Sequence, residues 1–266
     1  MSTVHLILQG KGGVGKSFAA FLLAQYLPDK SVLVRCFDAD PINNTLANFP
    51  ALNAVKVDLI ENSDKGRRID PRRFDDLVEQ ITGQPAEAHV IVDTGSSAFV
   101  PLLHYVLSNE VQAILSQGGH QLVVHTIVTG GQALLDTLHG AAQLVKQLDA
   151  ARFVIWLNPF CGPVSDNGRT FEQMNLYEAI KKRIETIVSL PAFTDELSVL
   201  QLPYPRPRDW PPTPPPARVP ASAPRKVPIG VGATFDLQQD LIFGQPTRLQ
   251  YQITSPGLVF NQCLPR

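Results

Sequence analysis

The sequence predicts an α/β fold, a mostly parallel sheet with helices on both faces, and three observations carry that reading. Short apolar runs alternate with longer runs of helical period from residue 4 to residue 190. The short runs lack strict apolar–polar alternation, so their strands are buried on both faces, as in a parallel sheet covered by crossover helices. Between the first strand and the first helix lies Gly10-Lys11-Gly12-Gly13-Val14-Gly15-Lys16-Ser17, in the strand, glycine-rich turn, helix order that a phosphate-binding loop requires.

The chemistry of that loop explains its composition. Glycines allow backbone dihedrals and close approach that side chains obstruct, so amide hydrogens converge on phosphate oxygens at a helix N-terminus. Lys16 supplies a mobile positive charge for the β and γ phosphates, and the Ser17 hydroxyl suits a magnesium ligand. A turn that merely connects strand to helix is the alternative, but it needs neither the lysine nor the serine. The expected class is a nucleoside triphosphatase that uses Mg2+.

Composition narrows the rest. A chain of 266 residues, 44% apolar, buries a large core in one domain, with room for a small appendage. The formal charge of -1 provides no global field for nucleic acid, so any DNA contact must be local. Cys36, Cys161 and Cys263 are far apart and lack paired ligand spacing, which fits a reducing compartment. Neither a signal peptide nor an apolar run of the roughly 20 residues needed to span a bilayer is read, so the expected location is cytoplasmic.

Taken in order, Val4 to Leu8 is the first strand and Phe18 to Leu27 the first helix, stopping at Pro28. Ser31 to Phe37 is a buried strand ending in Asp38-Ala39-Asp40-Pro41. Two carboxylates at a strand end beside a phosphate loop can hold magnesium through water or orient the attacking water. Asp40 can also cap a helix begun by Pro41. A short run from Val55 to Ile60 and a polar stretch from Glu61 to Gly66 precede a helix, in which Phe74, Leu77, Val78 and Ile81 share a face. Arg67, Arg68, Arg72 and Arg73 form a basic cluster that either meets a phosphate or is a solvated surface.

His89 to Val92 is a strand followed by Asp93-Thr94-Gly95, then helical runs from Phe99 to Leu107 and ending at Leu115. Gln121 to Val128 and Phe153 to Leu157 are further strands, separated by a helix with apolar positions from Ala133 to Leu148. Asn158 ends the second of these; its amide can donate and accept, matching an adenine edge, or it can cap a loop. Gly162 to Thr170 is a turn-rich lid or partner loop, Phe171 to Ile184 a helix ending in Lys181-Lys182-Arg183, and Glu185 to Leu190 a last strand. All the chemistry-bearing residues then fall at the carboxyl edge of the sheet, where such folds bind ligands.

Three segments are expected: residues 1–200 as the ATPase domain, 201–228 as a proline-rich linker, and 229–266 as a tail of uncertain packing. Proline fixes its backbone angle and removes an amide donor, so residues 201–228 cannot form an interior strand or an ordinary helix.

With a lysine directly before the glycine pair and another before the serine, the loop resembles the deviant Walker A motif of the ParA/MinD class of ATPases. That resemblance implies an ATP-dependent homodimer in which Lys11 reaches the phosphates of the opposite subunit. It further implies Asp40 positioning the lytic water of ATP hydrolysis, Asp38 organising the metal shell, Asp93 in the Walker B position holding the magnesium shell, Gly95 permitting switch movement and Asn158 contacting adenine. Across residues 4–195 the chain also resembles the TraL family of plasmid conjugal-transfer proteins. The matching stretches are Leu8-Gln9-Gly10-Lys11-Gly12-Gly13-Val14-Gly15-Lys16-Ser17, Asp38-Ala39-Asp40-Pro41, His125-Thr126-Ile127-Val128-Thr129-Gly130-Gly131 and Trp156-Leu157-Asn158-Pro159. A slow ATPase switch in conjugation or plasmid maintenance is therefore expected, with conjugation or maintenance proteins as partners. A nucleotide-stabilised adaptor and a small-substrate phosphotransferase are the alternatives. Nonspecific DNA binding would use Lys181, Lys182 and Arg183. The tail departs from the family's charged helical end, either as a divergent interaction arm or through a reading-frame shift.

Overall fold

The computed structural model describes residues 2–29, 32–63, 66–192 and 247–250. Strand β1 (Ser2–Ile7) leads through the glycine-rich loop into α1 (Lys16–Asp29), and β2 (Val34–Ala39) and β3 (Val55–Lys56) follow. A hairpin of β4 (Ile60–Ser63) and β5 (Gly66–Ile69) precedes α2 (Arg73–Thr82) and β6 (His89–Thr94). Helices α3 (Phe99–Ser108) and α4 (Val111–Gln117) lead to β7 (His120–Thr129), α5 (Leu134–Gln147) and β8 (Arg152–Asn158). A small hairpin, β9 (Ser165–Asp166) with β10 (Arg169–Thr170), precedes α6 (Asn175–Ile180) and β11 (Ile184–Ser189); β12 is Thr247–Gln250.

The main sheet has eight strands in the order β12-β11-β8-β7-β1-β6-β2-β3, every pair parallel. Crossovers in parallel sheets are right-handed, so the direction of each step decides which face its helix covers. The step from β1 to β2 runs one way and places α1 on one face. The later steps, β6 to β7, β7 to β8 and β8 to β11, run the other way and place their helices on the opposite face. The core divides accordingly. Val4, Leu6 and Leu8 pack with Phe74, Leu102, Leu144 and Ile180 of the returning helices. Ile7, Ile91, Ile127 and Trp156 pack with Phe18, Phe21 and Leu27 of α1. The chain therefore reverses direction around β1, and the crevice at that switch point holds the glycine-rich loop.

Local structure differs from the sequence reading at a few places. Helix α1 runs through Pro28 to Asp29, since a proline in the last turn removes only one terminal bond. No helix follows Pro41: Asp40 Oδ1 accepts from the amides of Ile42 and Asn43 at 2.8 and 3.1 Å, closing a turn instead. The polar stretch after Ile60 belongs to the β4–β5 hairpin. The loop expected from Gly162 carries the β9–β10 hairpin, whose two turn residues, Asn167 and Gly168, have φ of 49° and 77°.

The single helix expected from Phe171 to Ile184 is broken. A 3-10 turn (Phe171–Gln173) closed by a Thr170–Gln173 capping box gives way to extended Met174, and α6 starts only at Asn175. Phe171, Met174 and Ile180 are all buried, and burial of those three side chains overrides helical continuity. The proline-rich segment 201–228 lies outside the described residues, and of 229–266 only β12 is described.

Candidate functional site

The carboxyl ends of β1, β2, β6 and β8 deliver the glycine-rich loop, Asp38 and Asp40, Asp93, and Asn158 to one sheet edge. The loop itself is open: Gly10, Lys11, Gly12 and Gly13 are exposed, Gly15 and Ser17 are half-buried, and Val14 is buried. Gly13 and Gly15 have φ of 73° and 101°, in the region that favours glycine. A Cβ built on Gly13 meets nothing within 4 Å, so the backbone there faces open space in which an anion can lie against the amides.

Lys16 is nearly buried at 7% exposure and donates to the Lys11 carbonyl at 3.2 Å. Burial lowers its pKa, while Asp93 and Asp40 act to raise it. A desolvated ammonium beside an open amide cradle gains strongly from an incoming phosphate.

Asp93 is the least satisfied group nearby. It is fully buried, and neither carboxylate oxygen has a hydrogen-bond partner. Burial pushes its pKa up to about 7; the neighbouring Ser17 hydroxyl opposes this without meeting hydrogen-bond geometry, and Asp38 adds to it. A buried carboxylate with two bare oxygens beside a serine hydroxyl fits a divalent cation. Among the described residues no three His, Cys, Asp or Glu side chains form a self-sufficient metal site. Magnesium here would draw its other ligands from phosphate and water, as that ion usually does.

Asp38, also buried at this edge, is engaged by the backbone. Its Oδ2 accepts from the Ala47 amide at 2.9 Å and its Oδ1 from the Asp40 amide at 3.2 Å, so both oxygens brace the loop after β2. Burial raises its pKa, and the backbone hydrogen bonds from Ala47 and Asp40 oppose the rise. Asp40, braced in this way, is half-buried at the edge of the crevice. Gly95 has an ordinary φ of -71°, and its need for glycine is steric: a Cβ would collide with the Asp40 carboxyl and lie 3.0 Å from Pro41 Cδ. The turns after β2 and β6 therefore touch.

Asn158 Nδ2 donates to the Val14 carbonyl at 2.9 Å, and its Oδ1 accepts from the Phe160 amide at 3.1 Å. It ties the crown of the loop to β8 and keeps one amide hydrogen and one lone pair for another partner. Lys11 forms an ion pair with Asp136 on the first turn of α5, at 2.8 Å. Nothing in the sequence pattern marked Asp136, which lies 125 positions away. Cys36 is buried, and burial pushes its thiol up to about 12, consistent with an inert packing group.

Some members of the two basic clusters are engaged within the fold. Arg72 pairs with Asp70 and Glu61, and Arg68 with Glu61, which supports the solvated-surface reading. The Lys181-Lys182-Arg183 patch is not a uniform cationic face. Arg183 turns inward to the carbonyls of Val145, Leu148 and Ala151, with its guanidinium 4.9 Å from the Phe153 ring centroid, and Lys181 pairs with Glu178. Among the described residues no helix is long and apolar enough to cross a membrane.

Comparison with known proteins agrees with this geometry. The family described as the CobQ/CobB/MinD/ParA nucleotide binding domain matches residues 5–200. Two Escherichia coli proteins named Protein TraL are 49% and 48% identical over 197 residues, covering 74% of this chain and 79% of each relative. A crystal structure of a plasmid partition protein from Borrelia burgdorferi is 19% identical, covers 71% of this chain and 90% of its own, and has a TM-score of 0.41. With a phosphate loop at the switch point of a parallel sheet and this identity over most of both sequences, the chain belongs to the TraL family, within the CobQ/CobB/MinD/ParA class of P-loop nucleotide-binding proteins.

Proposed function

We propose that the chain is an ATP-dependent dimerisation switch that hydrolyses ATP slowly to ADP and phosphate in the cytoplasm. The observation that carries this reading is the convergence of Lys16, the open glycine cradle and the two bare oxygens of Asp93 at one sheet edge. The cradle amides and Lys16 bind and orient the phosphates. Ser17 and Asp93 hold magnesium, which supplies charge neutralisation on the phosphate oxygens. Asp38 keeps the following turn in place through its bonds to the amides of Asp40 and Ala47. Asp40 then orients the attacking water from the crevice edge, with Gly95 packed against it. Asn158, with its remaining donor and acceptor, offers an edge to the base.

Lys11 is the residue that links assembly to chemistry. Its partner Asp136 is exposed, and so is Lys11 itself, so the pair is easily exchanged for a phosphate carried by a second copy. Two nucleotides brought together at a symmetric face repel, and a lysine from each subunit offsets that repulsion. Kinship with proteins named TraL supports a role in plasmid conjugal transfer or maintenance, with protein partners from that setting.

Light scattering after size separation tests the reading, comparing wild type and Lys11→Ala in ATP, ADP and no nucleotide with magnesium present. The expected result is a dimer of the wild type in ATP alone and a monomeric Lys11→Ala that still binds ATP. A wild type that is monomeric in every state, or an unimpaired Lys11→Ala dimer, overturns it.

A further inference from the structure

Gln9, the last residue before the phosphate loop, is a fully buried polar side chain whose carboxamide is engaged at both ends. Its Oε1 accepts from the Gly10 amide at 2.8 Å. Its Nε2 donates to the Ile127 carbonyl at 2.9 Å and the Thr137 carbonyl at 3.1 Å, with Thr126 Oγ1 at 3.3 Å. The orientation of the amide is forced, because Gly10 N–H can only donate and the two carbonyls can only accept.

The placement has a meaning in the ladder. In the parallel pair of β1 and β7, the Leu8 amide donates to the His125 carbonyl at 2.9 Å. Bonds in such a ladder repeat every second residue, so the next rung would join the Gly10 amide to the Ile127 carbonyl. The Gln9 carboxamide sits within that rung, accepting from one group and donating to the other. It holds the strands apart by one amide at the point where the loop leaves the sheet.

Helix α5 is shaped around it. Gly140 lies in the interior of α5, where glycine is the poorest helix former after proline. A Cβ at Gly140 would overlap the Gln9 carboxamide oxygen and lie 3.1 Å from its Cδ. The first turn of the same helix carries Asp136, the partner of Lys11, so α5 is joined to the loop at its root and near its tip.

We propose that Gln9 is a positioning residue that sets the departure of the phosphate loop from the sheet, and that Gly140 is the socket that admits it. This inference rests on the nucleotide-binding reading above only for its consequence; the geometry stands apart from it. Filling the socket with Gly140→Ala displaces the carboxamide without touching the loop, and Gln9→Met keeps the side-chain length while removing every hydrogen bond.

The test combines two measurements on the full chain. Amide hydrogen exchange without nucleotide should speed up at Gly10 by tenfold or more in Gly140→Ala and Gln9→Met, with Leu6 in β1 unchanged. Magnesium-ATP affinity should fall by tenfold or more in Gly140→Ala with its circular dichroism preserved. Adding Gln9→Asn, one methylene shorter, should recover part of that loss, a coupling that helix destabilisation alone does not produce. If Gly140→Ala does not fold, Gln9→Met carries both measurements. Unchanged exchange at Gly10, affinity within twofold of wild type in a folded variant, or additive behaviour of the double variant overturns the proposal. A wild type that binds no magnesium-ATP sinks the nucleotide reading instead, while exchange at Gly10 still decides the place of Gln9.

Discussion

Lys11 Nζ lies 2.8 Å from Asp136 Oδ2, an ion pair within one chain made by the lysine assigned to the opposite subunit. Lys11 holds the Asp136 carboxyl below the ordinary carboxylate range, first through their hydrogen bond and then through its charge. Both side chains are largely solvated, at 44% and 57% exposure, so water and salt screen the pair and it is a weak restraint. A contact of that size suits a lysine that must leave it.

Asp136→Asn should therefore favour assembly. Releasing Lys11 lowers the ATP concentration at the midpoint of dimerisation by about two- to fivefold, the equivalent of an exposed pair. Titrated light scattering checks this. Raised salt should narrow the difference between wild type and variant, because screening weakens the pair in the wild type alone. A midpoint shifted upward would mean that Asp136 supports the dimer.

Lys16→Ala removes a charge that is desolvated in the folded chain and faces the cradle. Magnesium-ATP affinity should fall by about tenfold to a hundredfold, the range for hydrogen bonds to charged groups. The sheet should survive, since the ammonium donates to a loop carbonyl, that of Lys11. Isothermal titration alongside circular dichroism separates the two effects. Unchanged affinity in a folded variant would reject the assigned role.

The sequence made the scaffold legible because its signals are local. Continuous apolar strands, helical spacing of Phe74, Leu77 and Ile81, and glycines before Lys16 each act within a few residues, and the strand order then brings their ends together. What was hidden depends on partners distant in the chain. Asp136 is an ordinary first-turn acid until α5 is placed beside the loop. Arg183 looks like part of a basic run until the carbonyls of Val145, Leu148 and Ala151 draw it inward. The helix expected from Phe171 failed for the same reason, since the burial of Met174 decides its backbone.

Asp40→Ala should separate binding from turnover. The carboxylate lies at the crevice edge, not in the cradle, so ATP affinity should change little. Single-turnover hydrolysis should slow by about a hundredfold or more if Asp40 orients water. The variant also removes the acceptor for the Ile42 and Asn43 amides, so loop order needs its own control. Asp40→Asn keeps an oxygen for those amides; it should restore the turn, seen as protease resistance, but not the rate. A wild-type rate in either variant would reduce Asp40 to a turn former.

Asp93 gives the fold a pH dependence whose sign follows from its burial. Its folded pKa is raised to about 7 from an ordinary value near 3.8, so folding favours the protonated carboxyl. The contribution is fully present below about pH 4 and declines as pH rises toward 7; above that the buried charge opposes folding by on the order of a few kcal/mol. Histidines work in the opposite direction at the acid end. His5 and His125 are held below their usual range, first by burial, with His125 and His89 adding to the effect on His5, so acid must charge groups that are buried neutral. Without nucleotide, Asp93→Asn should already raise the melting temperature at pH 5.5 and raise it further at pH 8, because the wild type loses the benefit of its neutral carboxyl progressively between about pH 4 and pH 7. Magnesium should reverse the ranking when ATP is present, stabilising the wild type more at pH 8 than at pH 6 while leaving the variant indifferent. Differential scanning calorimetry across that range, with and without magnesium-ATP, checks both halves; parallel pH profiles for the two proteins would place the titration elsewhere.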